Sequence, residues 1–156
     1  MEKKGLIQVY TGDGKGKTTA SVGQAIRAKG HKFEVCFIYF FKNLKDFPYG
    51  EVEVLKGLGI ETISFVPHHP HFYKNIKAEQ IREECLKALQ SIKEIFQKRY
   101  NMIILDEILI ALADGFLKER EILDLLENKP ESLEIILTGR GATKKIIEKA
   151  DLVTEM

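Results

Sequence analysis

Two patterns of apolar spacing take turns along this chain. Leu6-Ile7-Gln8-Val9-Tyr10 is a short β-rich run, followed by Thr11-Gly12-Asp13-Gly14-Lys15-Gly16, where dense glycine forbids regular structure. Val22, Ala25, Ile26 and Lys29 then recur at helical spacing and predict a helix from Lys17 to Lys29 with Gly30 as its terminator. Phe33 to Phe41 is apolar but for Glu34 and does not alternate, as expected of a strand buried on both faces of a parallel sheet. Glu51 to Leu58 reads as a short helix ended by Gly59, and Glu61 to Val66 as a third strand. Pro67-His68-His69-Pro70-His71-Phe72-Tyr73 is a loop, because its prolines exclude a helix.

The spacing of Ile81, Cys85, Ala88, Leu89, Ile92, Ile95, Phe96 and Tyr100 predicts a long helix over Lys77 to Tyr100. Met102 to Leu105 is a fourth strand, ending in Asp106-Glu107. A short helix then reaches Asp114-Gly115, a second runs from Lys118 to Asn128, and Leu133 to Leu137 is a fifth strand ending in Thr138-Gly139-Arg140-Gly141. Thr143 to Lys149 is helical, and Leu152-Val153 starts a sixth strand. Strands separated by helices imply an α/β fold, a mostly parallel sheet of five or six strands with helices on both faces. Such sheets bind ligands beyond the carboxyl ends of their strands, so the residues that follow each strand are the candidates for a site.

Those residues carry chemistry. The first loop has the character of a phosphate-binding loop: glycines let backbone N–H groups turn toward phosphate oxygens, the next helix offers its positive end, and Lys17 supplies a charge for the β and γ phosphates. The Thr18 hydroxyl is a ligand for Mg²⁺. The strict pattern places a glycine five positions before Gly16, where this chain has Thr11, so the loop is a shortened variant. With it, the fold reads as a three-layer P-loop NTPase-like domain. Ile103 to Glu107 is the partner acidic motif, a buried strand ending in carboxylates that hold Mg²⁺ directly or through water, with the direct ligand open between Asp106 and Glu107. Arg140, flanked by glycines, reaches a phosphate or a ribose, or else stands in solvent. Lys15 touches phosphate or is solvated. Lys42 and Asn43 read as solvent-exposed, Phe40 and Phe41 as core. His68, His69 and His71 lack the regular four-ligand spacing of a zinc site and read as a loop lining a pocket.

Composition narrows the class. The 156 residues amount to one domain spanning 1–156. A hydrophobic fraction of 44% against 30% charged residues suffices for a core and excludes a disordered chain. The 24 basic and 23 acidic residues give a net charge of +1, which offers no global field for nucleic acid or a membrane surface. Met1 to Gly5 leads into the first strand without the apolar stretch of a signal peptide, and no apolar run is long enough to span a membrane. Cys36 and Cys85 sit in apolar contexts and read as reduced core thiols. Together these point to the cytoplasm.

The segments Tyr10 to Ala20, Leu105-Asp106-Glu107, Leu137 to Ala142 and Ala150 to Met156 resemble, in order and over nearly the whole chain, the ATP:corrinoid adenosyltransferases of the bacterial cobalamin pathway. The resemblance implies transfer of the 5′-deoxyadenosyl group of ATP to the Co(I) of a reduced corrinoid with release of triphosphate. It also implies dependence on Mg²⁺, a homodimer and a flavin-type protein as electron donor. By it the nucleotide-binding role falls on Gly12, Asp13, Gly14, Lys15, Gly16, Lys17, Thr18, Thr19 and Arg140, the metal-binding role on Thr18, Asp106 and Glu107, and the catalytic role on Lys17 and Glu107. Family members usually carry a tryptophan in mid-chain, and many extend beyond the Thr-Glu-Met ending or before the first strand. This sequence has no tryptophan, and the His68 to Tyr73 loop occupies that region. From the residues alone, a small P-loop ATPase or kinase with another substrate, or a non-catalytic nucleotide-binding module, stays open, since Glu107 equally suits a water-orienting role.

Overall fold

Six short strands line up in parallel as β3-β2-β4-β5-β1-β6 in a computed structural model that describes residues 4–156. They are β1 (Ile7–Thr11), β2 (Val35–Phe40), β3 (Glu61–Phe65), β4 (Met102–Asp106), β5 (Glu134–Thr138) and β6 (Leu152–Glu155). Between them run α1 (Lys17–Gly30), α2 (Gly50–Gly57), α3 (Ala78–Ile95), α4 (Ile108–Ala113), α5 (Glu119–Glu127) and α6 (Lys144–Lys149). The expected α/β architecture and strand count therefore hold. Residues 1–3, on which the reading of the amino terminus partly rests, lie outside the described residues.

The two-residue period of the strands divides the interior into two layers. Val35, Phe37, Tyr39, Met102, Ile104 and Ile136 face one side, where Ala25 and Ala28 of α1 and Val52 and Leu55 of α2 cover them. Their alternates, Cys36, Ile38, Phe40, Ile103, Leu105, Ile135 and Leu137, face the other side, where α3 to α6 pack. Every residue of β2 and β4 is buried, which is why both read as unbroken apolar runs. Cys36 and Cys85 are free and buried, and burial pushes each thiol up to about 12.

Most boundaries shift by one or two residues from the sequence reading, and two of the differences have a clear cause in the pairing of the strands. Helix α3 ends at Ile95 rather than Tyr100, because the chain turns at Phe96 to Lys98 so that the N–H groups of Asn101 and Met102 can meet the Glu34 carbonyl and begin β4. Strand β6 runs two residues past Val153, since the N–H of Met156 closes on the Thr11 carbonyl at 2.8 Å and holds the pairing along all of β1's end. Among the described residues no helix is long and apolar enough to cross a membrane.

Candidate active site

The carboxyl ends of β1, β2, β4 and β5 and the loop after β3 surround one cavity of about 690 Å³. Residues 12–16 leave β1 through two left-handed glycines, Gly12 at φ 98° and Gly16 at φ 114°, and Gly16 stands at the N-terminus of α1. Lys17 is 8% exposed, and its ammonium donates to the carbonyls of Gly12 at 2.8 Å and Gly14 at 2.5 Å. The loop thus holds its own lysine across its mouth. Its outer side is closed by the end of β6: the Gly14 N–H donates to the Met156 carbonyl at 2.6 Å, and a Cβ at Gly12 or Gly14 would meet Met156 backbone at 2.2 or 2.5 Å. These two glycines therefore admit a neighbouring strand as well as turning the loop.

Asp106 ends β4 in full burial, 0% exposed. Its Oδ1 accepts the hydroxyls of Thr18 at 3.0 Å and Thr138 at 2.8 Å, and its Oδ2 accepts the Lys42 ammonium at 2.9 Å. Glu107 follows at φ 66°, a left-handed conformation costly for a non-glycine residue, and its N–H is held by Thr138 Oγ1 at 2.9 Å. That turn sends the Glu107 carboxyl into the cavity wall while Asp106 stays behind it. Burial, and then the Asp106 charge beside it, raises the Glu107 carboxyl above the ordinary glutamate range, against the opposing pull of Lys42, Lys17 and Arg140.

The far wall is built from the ends of β2 and β3, where Phe41 (φ 58°) and Val66 (φ 50°) both turn left-handed and the Phe41 N–H donates to the Val66 carbonyl at 3.0 Å. For a β-branched residue such as Val66 this is a genuine outlier, and the pairing of the two turns sustains it. The consequence is that Phe41 and Lys42 point at the cavity, and the histidine loop folds over it. His69 is buried with its edge against Phe41 and Phe116. Its Nδ1 accepts the His71 N–H at 3.1 Å, which leaves the proton on Nε2 to be donated to Asp114 Oδ2 at 2.7 Å.

The family model for ATP:corrinoid adenosyltransferase BtuR/CobO/CobP matches residues 3–156. The corrinoid adenosyltransferase of Escherichia coli K12 is 33% identical over 157 residues, covering all of this chain and 78% of the relative. That of Salmonella typhimurium is equally similar over the same extent, and that of Sinorhizobium sp is 35% identical over 159 residues, 99% of this chain and 73% of its own. The chain belongs to this family.

Within the adenosyltransferase fold the candidate residues fall into groups. Asp13, Gly14, Lys15, Gly16, Lys17, Thr18, Thr19, Glu107 and Arg140 line the cavity, with Asp13, Lys15, Thr19 and Arg140 exposed to it, while Gly12 and Asp106 stand behind its wall. His69, His71 and Phe72 line it too, whereas His68 turns aside to Asn43 at 3.3 Å. Three readings are corrected. Lys42 is not a solvated lysine: its side chain is 16% exposed and paired to Asp106. Asn43 is buried, capping the next turn by accepting the N–H of Lys45. Phe41 is half-buried on the cavity wall, because its left-handed turn lifts it out of the strand that keeps Phe40 in the core. Thr138 was a candidate by its place at the end of the fifth strand, without a role, and Met156 carried no site role; the register that sets β5 beside β4 and β6 beside β1 brings both to the loop and Asp106.

The oxygen set around Asp106, a threonine hydroxyl and carboxylates with no sulfur or imidazole, suits a hard cation such as Mg²⁺. Among the described residues no three His, Cys, Asp or Glu side chains gather as a metal cluster. That fits an ion held by one or two protein oxygens and completed by phosphate and water. The hydroxyl of Tyr39, register partner of Asp106, is buried without a hydrogen-bond partner among the described residues.

Proposed function

We propose that this protein transfers the 5′-deoxyadenosyl group of Mg-ATP to the Co(I) of a reduced corrinoid. The electron pair of Co(I) forms the cobalt–carbon bond at C5′ while the C5′–O bond breaks, its own bonding pair leaves on the triphosphate oxygen, and cobalt is formally oxidised to Co(III). Co(I) is itself the nucleophile, so the chain needs to position C5′ and stabilise the leaving group rather than supply a base. The observation that carries this reading is the shared cavity, with the glycine loop, Lys17 and Thr18 on one wall and Phe41, His69, His71 and Phe72 on the other.

In this reading the loop N–H groups other than that of Gly14, which Met156 holds, and the Lys17 ammonium receive the phosphates. Lys17 leaves the Gly12 and Gly14 carbonyls to do so. Thr18 and Asp106 hold Mg²⁺, whose charge offsets that of the departing triphosphate, and Glu107, on the cavity wall, meets the metal's water. Asp106 is the direct carboxylate because it is the one bonded to Thr18. Arg140 and Lys15 reach phosphate or ribose from the rim. The apolar wall excludes water from the reacting carbon and accepts the corrin. The whole of residues 1–156 acts as one nucleotide-binding domain, in the cytoplasm and as a homodimer, with a flavin-type protein supplying electrons.

The test is an anaerobic incubation with Mg-ATP, a strong reductant and cobalamin, following the corrinoid spectrum for a cobalt–carbon bond and the solution for triphosphate. Both products are expected in equal amount. Orthophosphate or ADP in their place would mark an ATPase or kinase.

A further inference from the structure

Lys42 is paired with the buried Asp106 carboxylate, and the proposed chemistry does not use it. Its ammonium lies 2.9 Å from Asp106 Oδ2 and 3.8 Å from Glu51 Oε1, above the rings of Tyr39 at 4.8 Å and Tyr49 at 5.6 Å from their centroids. The backbone puts it there at some cost, since Phe41 must adopt φ 58° for Lys42 to leave β2 toward the cavity. The Lys42 carbonyl is fixed as well, accepting the Ser64 hydroxyl at 2.6 Å. Asp106 is thus fully committed: two hydroxyls occupy one oxygen and an ammonium the other.

A divalent ion seated by Thr18 and Asp106 Oδ1 brings a second positive charge up to the Lys42 ammonium on Oδ2 in a poorly solvated pocket, and that repulsion weakens the hold of Asp106 on Lys42. Asp106 needs a counter-charge at all times, because an ionised carboxylate buried without one is strongly unfavourable.

We propose that Lys42 is a placeholder cation: it neutralises Asp106 in the nucleotide-free protein, is displaced by the incoming metal ion, and then turns to the polyphosphate in the same cavity, where it stabilises the departing triphosphate. The inference rests on the reading of Thr18 and Asp106 as the metal site. It makes metal binding and release of Lys42 one exchange of cations, so the divalent ion competes with Lys42 while phosphate cooperates with it.

The experiment uses the full chain without corrinoid. Mn²⁺ binding to nucleotide-free protein is followed by loss of the free-ion resonance signal, and inorganic triphosphate binding is measured calorimetrically at saturating Mn²⁺. Lys42→Met is expected to bind Mn²⁺ about tenfold more tightly than the unaltered protein and triphosphate about tenfold more weakly, in the range of ordinary coupling between sites. The variant should melt at lower temperature without metal and recover when Mn²⁺ is added, whereas the unaltered protein gains less. Lys42→Gln should shift the same way, and Lys42→Arg, which keeps the charge, should bind Mn²⁺ as weakly as the unaltered protein. Equal Mn²⁺ affinity in the Met and Gln variants, or equal triphosphate affinity, overturns the proposal. Asp106→Asn separates the two readings: if it leaves Mn²⁺ binding in the presence of ATP unchanged, the metal site itself has been misplaced.

Discussion

Thr138 joins β5 to β4 through its side chain, donating its hydroxyl proton to Asp106 Oδ1 at 2.8 Å and accepting the Glu107 N–H at 2.9 Å. One hydroxyl thereby orients a buried carboxylate and pins the left-handed residue that follows it. Thr138→Val keeps the shape and removes both bonds. Leaving such buried groups unsatisfied costs about 1–3 kcal/mol. For a chain of this size that corresponds to a fall in melting temperature of about 2–4 °C per kcal/mol. Thermal unfolding of the nucleotide-free protein checks it, with Thr138→Ser expected to recover most of the loss. An unchanged melting temperature in the valine variant would mean that Asp106 is held by Thr18 and Lys42 alone.

Lys17 bonds through its ammonium to the loop's own carbonyls, a local contact that ties no distant element to α1. Lys17→Ala is therefore expected to leave the fold intact while removing the charge that meets the phosphates. Turnover in the cobalamin assay should fall at least about 100-fold, the scale seen when one preorganised donor to developing negative charge is deleted. Circular dichroism and melting temperature check the first half of this expectation, and single-turnover formation of the cobalt–carbon bond the second. Retained turnover would show that the loop does not receive the phosphates.

The fold was legible because its two periods are clean. Val35 to Phe40 could be placed in the middle of a parallel sheet since nothing in the run alternates, and α3 since Ile81, Cys85, Ala88, Leu89 and Ile92 recur on one face. The glycine loop and Asp106 stood out because they follow apolar runs directly. Lys42 was misread because its burial depends on two left-handed turns, Phe41 and Val66, that no propensity predicts for those residue types. Gly12 and Gly14 showed only half of their reason, since the approach of Met156 depends on β6 pairing with β1 across about 140 residues of chain. What local pattern encodes could be read, and what strand order brings together could not.

Glu107 offers a pH test. Burial first, and then the charge of Asp106, raises its folded-state pKa above the unfolded value. Both states are protonated at pH values below the unfolded pKa, so no penalty exists there. As the pH rises through the folded pKa the native carboxyl must ionise in an unfavourable place, and stability is lost. Glu107→Gln removes that loss, so its melting temperature should exceed that of the unaltered protein at neutral pH and converge with it below about pH 4. Thermal unfolding across that pH range measures the difference. A difference that is constant with pH would mean that Lys42, Lys17 and Arg140 offset the burial of the carboxylate completely.

His69 fixes the loop that covers the apolar wall. It is the buried member of the histidine segment, and its two nitrogens are used in opposite senses: Nδ1 accepts from the His71 N–H and Nε2 donates to Asp114 at the end of α4. The ring also fills the angle between Phe41 and Phe116. His69→Ala deletes all three attachments, and the loss of two hydrogen bonds at about 1 kcal/mol each should let residues 67–73 open about 30-fold more often. Amide hydrogen exchange should rise there while residues 12–19 stay protected. If the loop forms the corrin-facing wall, the KM for corrinoid should rise with that opening and the KM for ATP should not. Asp114→Asn, whose amide oxygen can still accept the Nε2 proton, should retain most of the protection. Equal acceleration of exchange in both variants would show that it is the charge of Asp114, rather than its geometry, that holds the loop closed.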